Sequence, residues 1–169
     1  SRDSTIGGEA LGGGLGVWGG YTRLVNCTLS GNLARGGPGG FVTAPYDGGP
    51  AWGGGFAGFS NVTTAAHCTV TRNQAIGGPP GPSLGGLATA HEGDAHGGGF
   101  HVTAGVLQLA NCVVAGNQVT DALLPEDVAG PVDRLGPNLI QSPRGLPNPG
   151  PLDIVGRDPW LGPLADHGG

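Results

Sequence analysis

The densest group of side chains that could do chemistry lies in the stretch HEGDAHGGGFH, residues 91–101. It brings His91, Asp94, His96 and His101 close together along the chain. Neutral imidazole and carboxylate groups at short spacing can hold a divalent metal ion. Their spacing matches no recognised ligand pattern, and an exposed polar loop between strands explains the same residues. We therefore predict no firm metal site and keep these four residues only as candidate ligands.

The carboxylates are the second feature, because glycoside hydrolysis needs two acids held at a fixed separation. The acids considered are Asp47, Asp94, Glu126, Asp127, Asp133, Asp153 and Asp158. No strand of the repeats described below pairs two of them on one face, so we predict no catalytic residue and no cofactor. A polysaccharide lyase or hydrolase is the alternative. Two carboxylates with a basic residue in one cleft would favour a carbohydrate function.

A repeated element must position these side chains. The stretch NCTLSGN at 26–32 returns as HCTVTRN at 67–73 and as NCVVAGN at 111–117, each time after three glycines. The repeats start near Gly12, Gly53 and Gly97, and the same two residue types recur at fixed offsets in each: Cys27, Cys68 and Cys112, then Asn32, Asn73 and Asn117. Repeats of this kind stack their units to share one core.

The residues around each cysteine alternate between apolar and polar side chains, which is typical of a half-buried strand. In the first repeat Val25, Cys27 and Leu29 share the apolar face. Each repeat contains two such strand-like segments, which predicts two short coils per repeat. Parallel stacking of the coils would form a β-solenoid over one domain, residues 1–169, with about seven or eight coils and closing coils at about 130–169.

Two recurrent phrases carry a resemblance to a known family. The first phrase reads GGGL at 12–15 and GGGF at 53–56 and 97–100; the second reads LSGN at 29–32, VTRN at 70–73 and VAGN at 114–117. The pattern resembles the right-handed parallel β-helix repeats of bacterial surface proteins, in particular the polymorphic outer-membrane-protein type. The stretches 136–145 and 153–169 are similar to the closing coils of large bacterial β-helix proteins that often carry a C-terminal sorting anchor. The resemblance implies a right-handed parallel β-helix.

The cysteines and asparagines are predicted to form structural ladders. With two coils per repeat, equivalent cysteines would lie two strand spacings apart, or ~10 Å. That separation exceeds the ~7 Å between Cα atoms that a disulfide allows. We therefore predict three buried free thiols, and an asparagine ladder along the turns.

Two glycine- and proline-rich inserts, at 36–52 and 77–96, are predicted to be loops displayed for recognition. The aromatic residues Trp18, Tyr46, Trp52 and Phe59 have two readings. They pack between coils, or they form an aromatic strip that contacts sugar or protein.

The charge and hydropathy of the sequence limit the classes of binding partner. The net charge is −5, and the seven basic residues are all arginine, so no basic patch for nucleic acid is expected. No apolar run approaches the ~20 residues that span a bilayer, so no transmembrane segment is predicted.

These features predict a non-catalytic, exported structural or interaction subunit of a larger cell-envelope or extracellular assembly. We expect it to be secreted, at the cell surface or in the periplasm, with other protein chains of the assembly as partners. One alternative is a carbohydrate-active or carbohydrate-binding module whose partner is a polysaccharide. The other is a fragment of a surface adhesin.

Overall fold

A computed structural model describes residues 6–40, 45–82, 89–120, 126–146 and 150–165. Within these ranges the regular secondary structure consists of β-strands alone, and the paired strands run parallel. The predicted all-β class is therefore confirmed. None of the described segments forms a helix that is long and apolar enough to cross a membrane.

Each repeat is divided into five short strands. The first repeat contains β1 (Ala10–Leu11), β2 (Leu15–Trp18), β3 (Tyr21–Val25), β4 (Thr28–Ser30) and β5 (Leu33–Arg35). The second contains β6 (Ala51–Trp52), β7 (Phe56–Phe59), β8 (Val62–Ala66), β9 (Thr69–Thr71) and β10 (Gln74–Ile76). The third contains β11 (Ala95–His96), β12 (Phe100–Thr103), β13 (Val106–Ala110), β14 (Val113–Ala115) and β15 (Gln118–Val119). The last strands are β16 (Val128–Ala129), β17 (Val132–Arg134), β18 (Leu139–Ile140) and β19 (Ile154–Val155).

The strands stack into five parallel sheets, numbered here in chain order. Sheet 1 is β1-β6-β11, sheet 2 is β2-β7-β12-β16, sheet 3 is β3-β8-β13-β17, sheet 4 is β4-β9-β14-β18-β19, and sheet 5 is β5-β10-β15. The chain visits these sheets in the same order in every repeat, so each repeat adds one strand to each sheet.

The expectation of two coils per repeat is wrong. Leu15 pairs with Phe56, and Phe56 pairs with Phe100, so equivalent residues of successive repeats lie in neighbouring strands. In the described part of the chain the sheet with the most strands, sheet 4, contains five. Each coil would add one strand to a sheet, so the seven or eight coils predicted are too many. The reason is local: Asn26 and its equivalents have positive φ, which ends one strand and begins another within the segment read as a single strand.

The core consists of inward-facing side chains stacked in columns. Sheet 2 contributes Phe56 and Phe100, and sheet 4 contributes Val70 and Val114, all of them fully buried. A smaller cluster lies between sheets 1 and 5, and its residues are mostly alanine: Ala34, Ala51, Ala75 and Val119. Small side chains there let the two sheets approach closely at the point where the inserts leave the repeat.

The three cysteines are free, but the reason given from the sequence is wrong. Cys68 and Cys112 are buried and Cys27 is half-buried. They belong to neighbouring layers, since the amide of Thr69 bonds the carbonyl of Cys27 and that of Val113 bonds Cys68. The thiols act as small core side chains, and burial raises the pKa of both Cys68 and Cys112.

The predicted asparagine ladder is present and links the repeats. Asn32 Nδ2 donates to Asn73 Oδ1 at 2.8 Å, and Asn73 Nδ2 donates to Asn117 Oδ1 at 2.9 Å. The backbone amides of Asn32 and Asn73 donate to the same two oxygens at 3.0 Å. Asn73 and Asn117 also bond the carbonyls of Leu29 and Val70 in the preceding repeat. Each buried carboxamide therefore has its donors and its acceptor used.

The ladder ends on a carboxylate. Asn117 Nδ2 donates to Asp127 Oδ1 at 2.8 Å, and the amide of Ser142 donates to Asp127 Oδ2 at 2.7 Å. Burial raises the pKa of the Asp127 carboxyl, whereas these hydrogen bonds lower it. A second, shorter ladder has the same form: Asn138 Nδ2 donates to Asp153 Oδ1 at 3.0 Å. An ionised carboxylate only accepts hydrogen bonds, so it suits the last position of a ladder of donors.

The glycine-rich inserts are not free loops in their described parts. Backbone hydrogen bonds connect successive glycine segments through Gly8, Gly37, Gly49, Gly78 and Gly93, at 2.7–2.9 Å. Each of these bonds joins segments that are distant in sequence, so the inserts form a layer of extended backbone beside sheets 1 and 5. These residues are therefore not freely displayed loops, and a role of the inserts in recognition stays a prediction. The two insert tips, 41–44 and 83–88, lie outside the described residues.

Glycine is required in this layer because backbone occupies the space of a side chain. A Cβ added at Gly78 would overlap the carbonyl oxygen of Gly37, and one at Gly49 would overlap that of Gly8. In contrast, a Cβ at Gly8 would meet no atom within 4 Å. The abundance of glycine in the inserts thus reflects close backbone packing rather than flexibility.

We expect the Asn73→Leu variant to lose about 3 kcal/mol or more of unfolding free energy. Leucine matches the volume, but it leaves the backbone amide and Nδ2 of Asn32 without their acceptor and removes the Nδ2 bonds to the Leu29 carbonyl and Asn117 Oδ1. Urea unfolding measures the loss. The matched control is Asn32→Leu, at the half-buried end of the ladder, which should lose less than half as much. Equal losses at the two positions would show that the buried middle of the ladder contributes no more stability than its half-buried end.

We expect Gly78→Ala to destabilise the protein by about 3 kcal/mol, because the added methyl group displaces backbone that has no room to move. Gly8 lies in the same layer, and the Gly8→Ala variant should change the free energy of unfolding by at most about 1 kcal/mol. Thermal and urea unfolding of the two variants give the comparison. If both substitutions were tolerated equally, the close packing of the glycine layer would be disproved.

Candidate functional site

Five ring-bearing side chains gather on the outer surfaces of sheets 1 and 2. Trp52 and His96 are neighbours in sheet 1, and their rings stack at 5.2 Å between centroids with 7° between planes. His101 of sheet 2 lies 4.9 Å from Trp52. Phe59 lies 5.9 Å from His101 and 5.8 Å from Trp18. We call these five residues the aromatic face.

Register produces the aromatic face. Trp52 directly precedes the triple glycine of the second repeat, and His96 directly precedes that of the third. The turn at each triple glycine then separates the sheet 1 strand from the sheet 2 strand. Because equivalent residues pair side by side, Trp52 and His96 stack as a cross-strand pair. The residue before the glycines was therefore the sequence signal that could have identified this pair.

His101 is the buried centre of the aromatic face. Its Nε2 lies 2.7 Å from Thr103 Oγ1, and its Nδ1 has no hydrogen-bond partner. Burial, and to a lesser extent repulsion from the nearby His96, lowers the pKa of His101 to about 4. The ring is neutral near pH 7 and packs as an aromatic side chain.

Acids surround the aromatic face. The indole Nε1 of Trp52 donates to Glu9 Oε1. Glu126 Oε2 lies 3.4 Å from His96 Nδ1 and also accepts the backbone amide of Gly97 at 2.9 Å. Glu126 is buried, whereas the side chain of His96 is 47% exposed. The backbone bond holds the Glu126 carboxylate in place beside the His96 ring.

A polar cleft adjoins the aromatic face at His96. Its volume is about 150 Å³, and its lining includes Glu92, Asp94, His96 and Arg144. The two acids are exposed, as is Arg144. Two carboxylates, an imidazole and an arginine thus share one cleft, and such a combination of acids with a basic residue favours a carbohydrate function.

The predicted metal ligands are only partly brought together. Asp94 and His96 line the cleft, and His101 contacts His96 with 6.3 Å between ring centroids. His91 belongs to an insert, where its amide donates to Asp47 Oδ1 at 2.7 Å. In the described part of the chain, no three His, Cys, Asp or Glu side chains are grouped so as to hold a metal ion.

The remaining acids and aromatic residues are spread over the molecule. Asp127 and Asp153 end the two ladders, and Asp153 also forms an ion pair with Arg134 at 3.0 Å. Asp158 accepts the backbone amide of Trp160. Tyr46 lies in an insert, where its carbonyl accepts the Gly81 amide. Of the acids considered from the sequence, Asp94 and Glu126 are the two placed at the aromatic face and its cleft.

No protein-family model, curated protein or solved structure gives a significant match to this chain. Function is therefore inferred from the geometry of the aromatic face and the polar cleft.

We expect His101 to make the stability of the protein depend on pH. Its folded-state pKa lies below that of the unfolded chain, so between pH 6.5 and about 4 the unfolded state takes up the proton. Stability that is present above pH 6.5 is then lost as the pH falls, with a slope of up to about 1.4 kcal/mol per pH unit.

The His101→Ala variant isolates this effect, because Ala57 occupies the equivalent position in the second repeat. Urea unfolding from pH 7 to pH 4 should show a steeper loss for the unmodified protein than for the variant. Parallel pH profiles would show that His101 is not buried in its neutral form.

Proposed function

We propose that this chain is a right-handed parallel β-helix module of an exported bacterial protein, and that it binds a polysaccharide without catalysing a reaction. The repeated order of the five sheets supports the helical winding, since the chain returns from sheet 5 to sheet 1 after β5 and again after β10. Secretion, surface display or residence in the periplasm belongs to the same proposal.

The main observation that supports the proposal is that aromatic ring faces and carboxylates lie together on one surface. Aromatic rings bind the apolar faces of sugars, and carboxylates accept hydrogen bonds from sugar hydroxyl groups. Trp18 is 65% exposed and supplies one such ring. Glu92 and Asp94 supply carboxylates in the adjoining cleft. A sugar chain lying along the aromatic face would place one unit at the mouth of the cleft.

Charge indicates the class of sugar. Glu9, Glu92, Asp94 and Glu126 outnumber Arg144 around the aromatic face and cleft. Clustered negative charge repels acidic glycans and attracts cationic ones. We therefore expect neutral or amino-sugar polymers to bind in preference to polyuronates.

A second candidate function is stacking on other protein chains as a structural subunit. Within the described residues, the strands of the first repeat pair on one side only, with the second repeat. Leu15, Leu24 and Leu29 are consequently only partly buried, whereas their partners in the second repeat are fully buried. An exposed sheet edge with apolar side chains favours pairing with another chain. A surface adhesin would combine this end with the glycan-binding face.

Calorimetric titration with a neutral β-glucan, chitosan oligomers and polygalacturonate tests the glycan proposal. We expect the first or second polymer to bind and the third to bind more weakly. Trp18→Ala should weaken binding about tenfold through loss of ring stacking. Trp160→Ala is the matched control, because that ring is 88% exposed and lies outside the aromatic face. Failure to bind any of the polymers, or equal losses in the two variants, would overturn the proposal.

The same samples separate binding from catalysis. Release of reducing ends or of unsaturated products, abolished by Glu92→Gln or Asp94→Asn, would make the lyase or hydrolase alternative correct. Binding with no product after long incubation would agree with a non-catalytic module.

A further inference from the structure

Arg72 occupies a position at which the other repeats have glycine. It lies in the turn between sheets 4 and 5 with φ of +57°, and its equivalents Gly31 and Gly116 have φ of +69° and +70°. Arginine is disfavoured in this left-handed region, so the backbone there is strained. Such strain persists where the side chain makes a contact that compensates for it.

The Arg72 side chain makes that contact with a distant segment. Its Nη2 donates to the carbonyl oxygens of Leu161 at 3.1 Å and Gly162 at 2.9 Å. The segment 157–165 forms no strand and crosses the outer face of sheet 4. Thr71 points outward from this sheet but is only 9% exposed, because the segment covers it. We call residues 157–165 the tail strap, and the surface beneath it the strap groove.

The tail strap does not fill the strap groove. Cavities of about 180 and 190 Å³ remain on the two sides of the Arg72 contact. Gln141 and Asp158 line the first, and Thr69 and Leu164 line the second. The ring of Trp160 is almost fully exposed, and Leu164 is 73% exposed. The arrangement within one chain thus leaves large apolar side chains in water.

The turn that leads into the strap groove is also strained. Trp160 has φ of +52°, and its amide donates to Asp158 Oδ1 at 2.8 Å. Gly156, directly after β19, has φ of +74°. Positive φ costs little at glycine but is a true outlier for a bulky aromatic residue. Residues 156–160 therefore adopt their conformation at the expense of backbone strain at Trp160.

We propose that the strap groove is a docking site for the tail strap of a second copy of this chain, with Arg72 as its anchor. The contacts are the same whether the strap belongs to the same chain or to a neighbour, so exchange costs no interaction. Extension of the strained turn at Trp160 favours the exchanged form. The product is a two-fold dimer in which each copy covers the other's sheet 4. This inference is independent of the glycan-binding proposal.

Light scattering of the full chain across a range of concentrations tests the exchange. We expect dimer to increase with concentration. Arg72→Gly removes the anchor from the monomer and from the exchanged dimer alike, so it should leave the dimer association constant within about twofold of that of the unmodified protein. This variant will fold, since glycine occupies the equivalent turns of the other repeats. Arg35→Ala is the control, because it also removes one exposed arginine and so changes the net charge by the same amount as Arg72→Gly.

A second variant tests the strained turn at Trp160 separately from the Arg72 anchor. Trp160→Gly relieves strain that is present in the monomer alone, so it should lower the dimer association constant by about fivefold or more. Limited chymotryptic cleavage after Leu161 reports whether the strap is still bound. We expect faster cleavage for Arg72→Gly than for the unmodified protein, and an unchanged rate for Trp160→Gly.

Absence of dimer at every concentration would overturn the exchange. So would a dimer that Trp160→Gly does not weaken, because its formation would not depend on the strained turn. Cleavage after Leu161 at the same rate in Arg72→Gly as in the unmodified protein would overturn the anchoring role.

Discussion

The hydrogen-bonded carboxamides of Asn32, Asn73 and Asn117 set the register on which the rest of the structure depends. The amide groups of Asn73 and Asn117 each bond the layer before and the layer after, and only one alignment of the layers satisfies all of these bonds. A slip of one residue would turn every inward side chain outward. The buried ladder therefore fixes all five sheets at once, and Asp127 supplies the acceptor at which it ends.

The aromatic face is a consequence of that register. Trp52 and His96 belong to different repeats, 44 positions apart, and stack only because their strands are neighbours in the same alignment. His101 is introduced by the third repeat at a position where the second has Ala57. Variation of the outward residue, over an unchanged inward column, thus creates a surface that differs from one repeat to the next. Function on this fold resides in the outward positions.

The sequence predicted what depends on fixed spacing and missed what depends on contacts between distant segments. The cysteine and asparagine columns follow from two constant offsets, and their stacking was predicted. The number of strands was not, because positive φ at Asn26 and its equivalents is invisible in an alternating pattern. Nor was the Arg72 contact, whose partners lie 89 and 90 residues further along the chain. In the site, Trp18, Trp52 and Phe59 were singled out as a group, but their meeting with His96 and His101 required the register.

The glycine layer has a thermodynamic consequence. Its segments bury peptide groups against peptide groups, with almost no apolar side chain between them. Exposure of polar surface lowers the heat capacity of the unfolded chain, whereas exposure of apolar surface raises it. Unfolding of the inserts thus offsets part of the heat-capacity increase from the apolar columns. The stability curve of the whole chain should be flatter with temperature than that of a protein of equal length with an ordinary core.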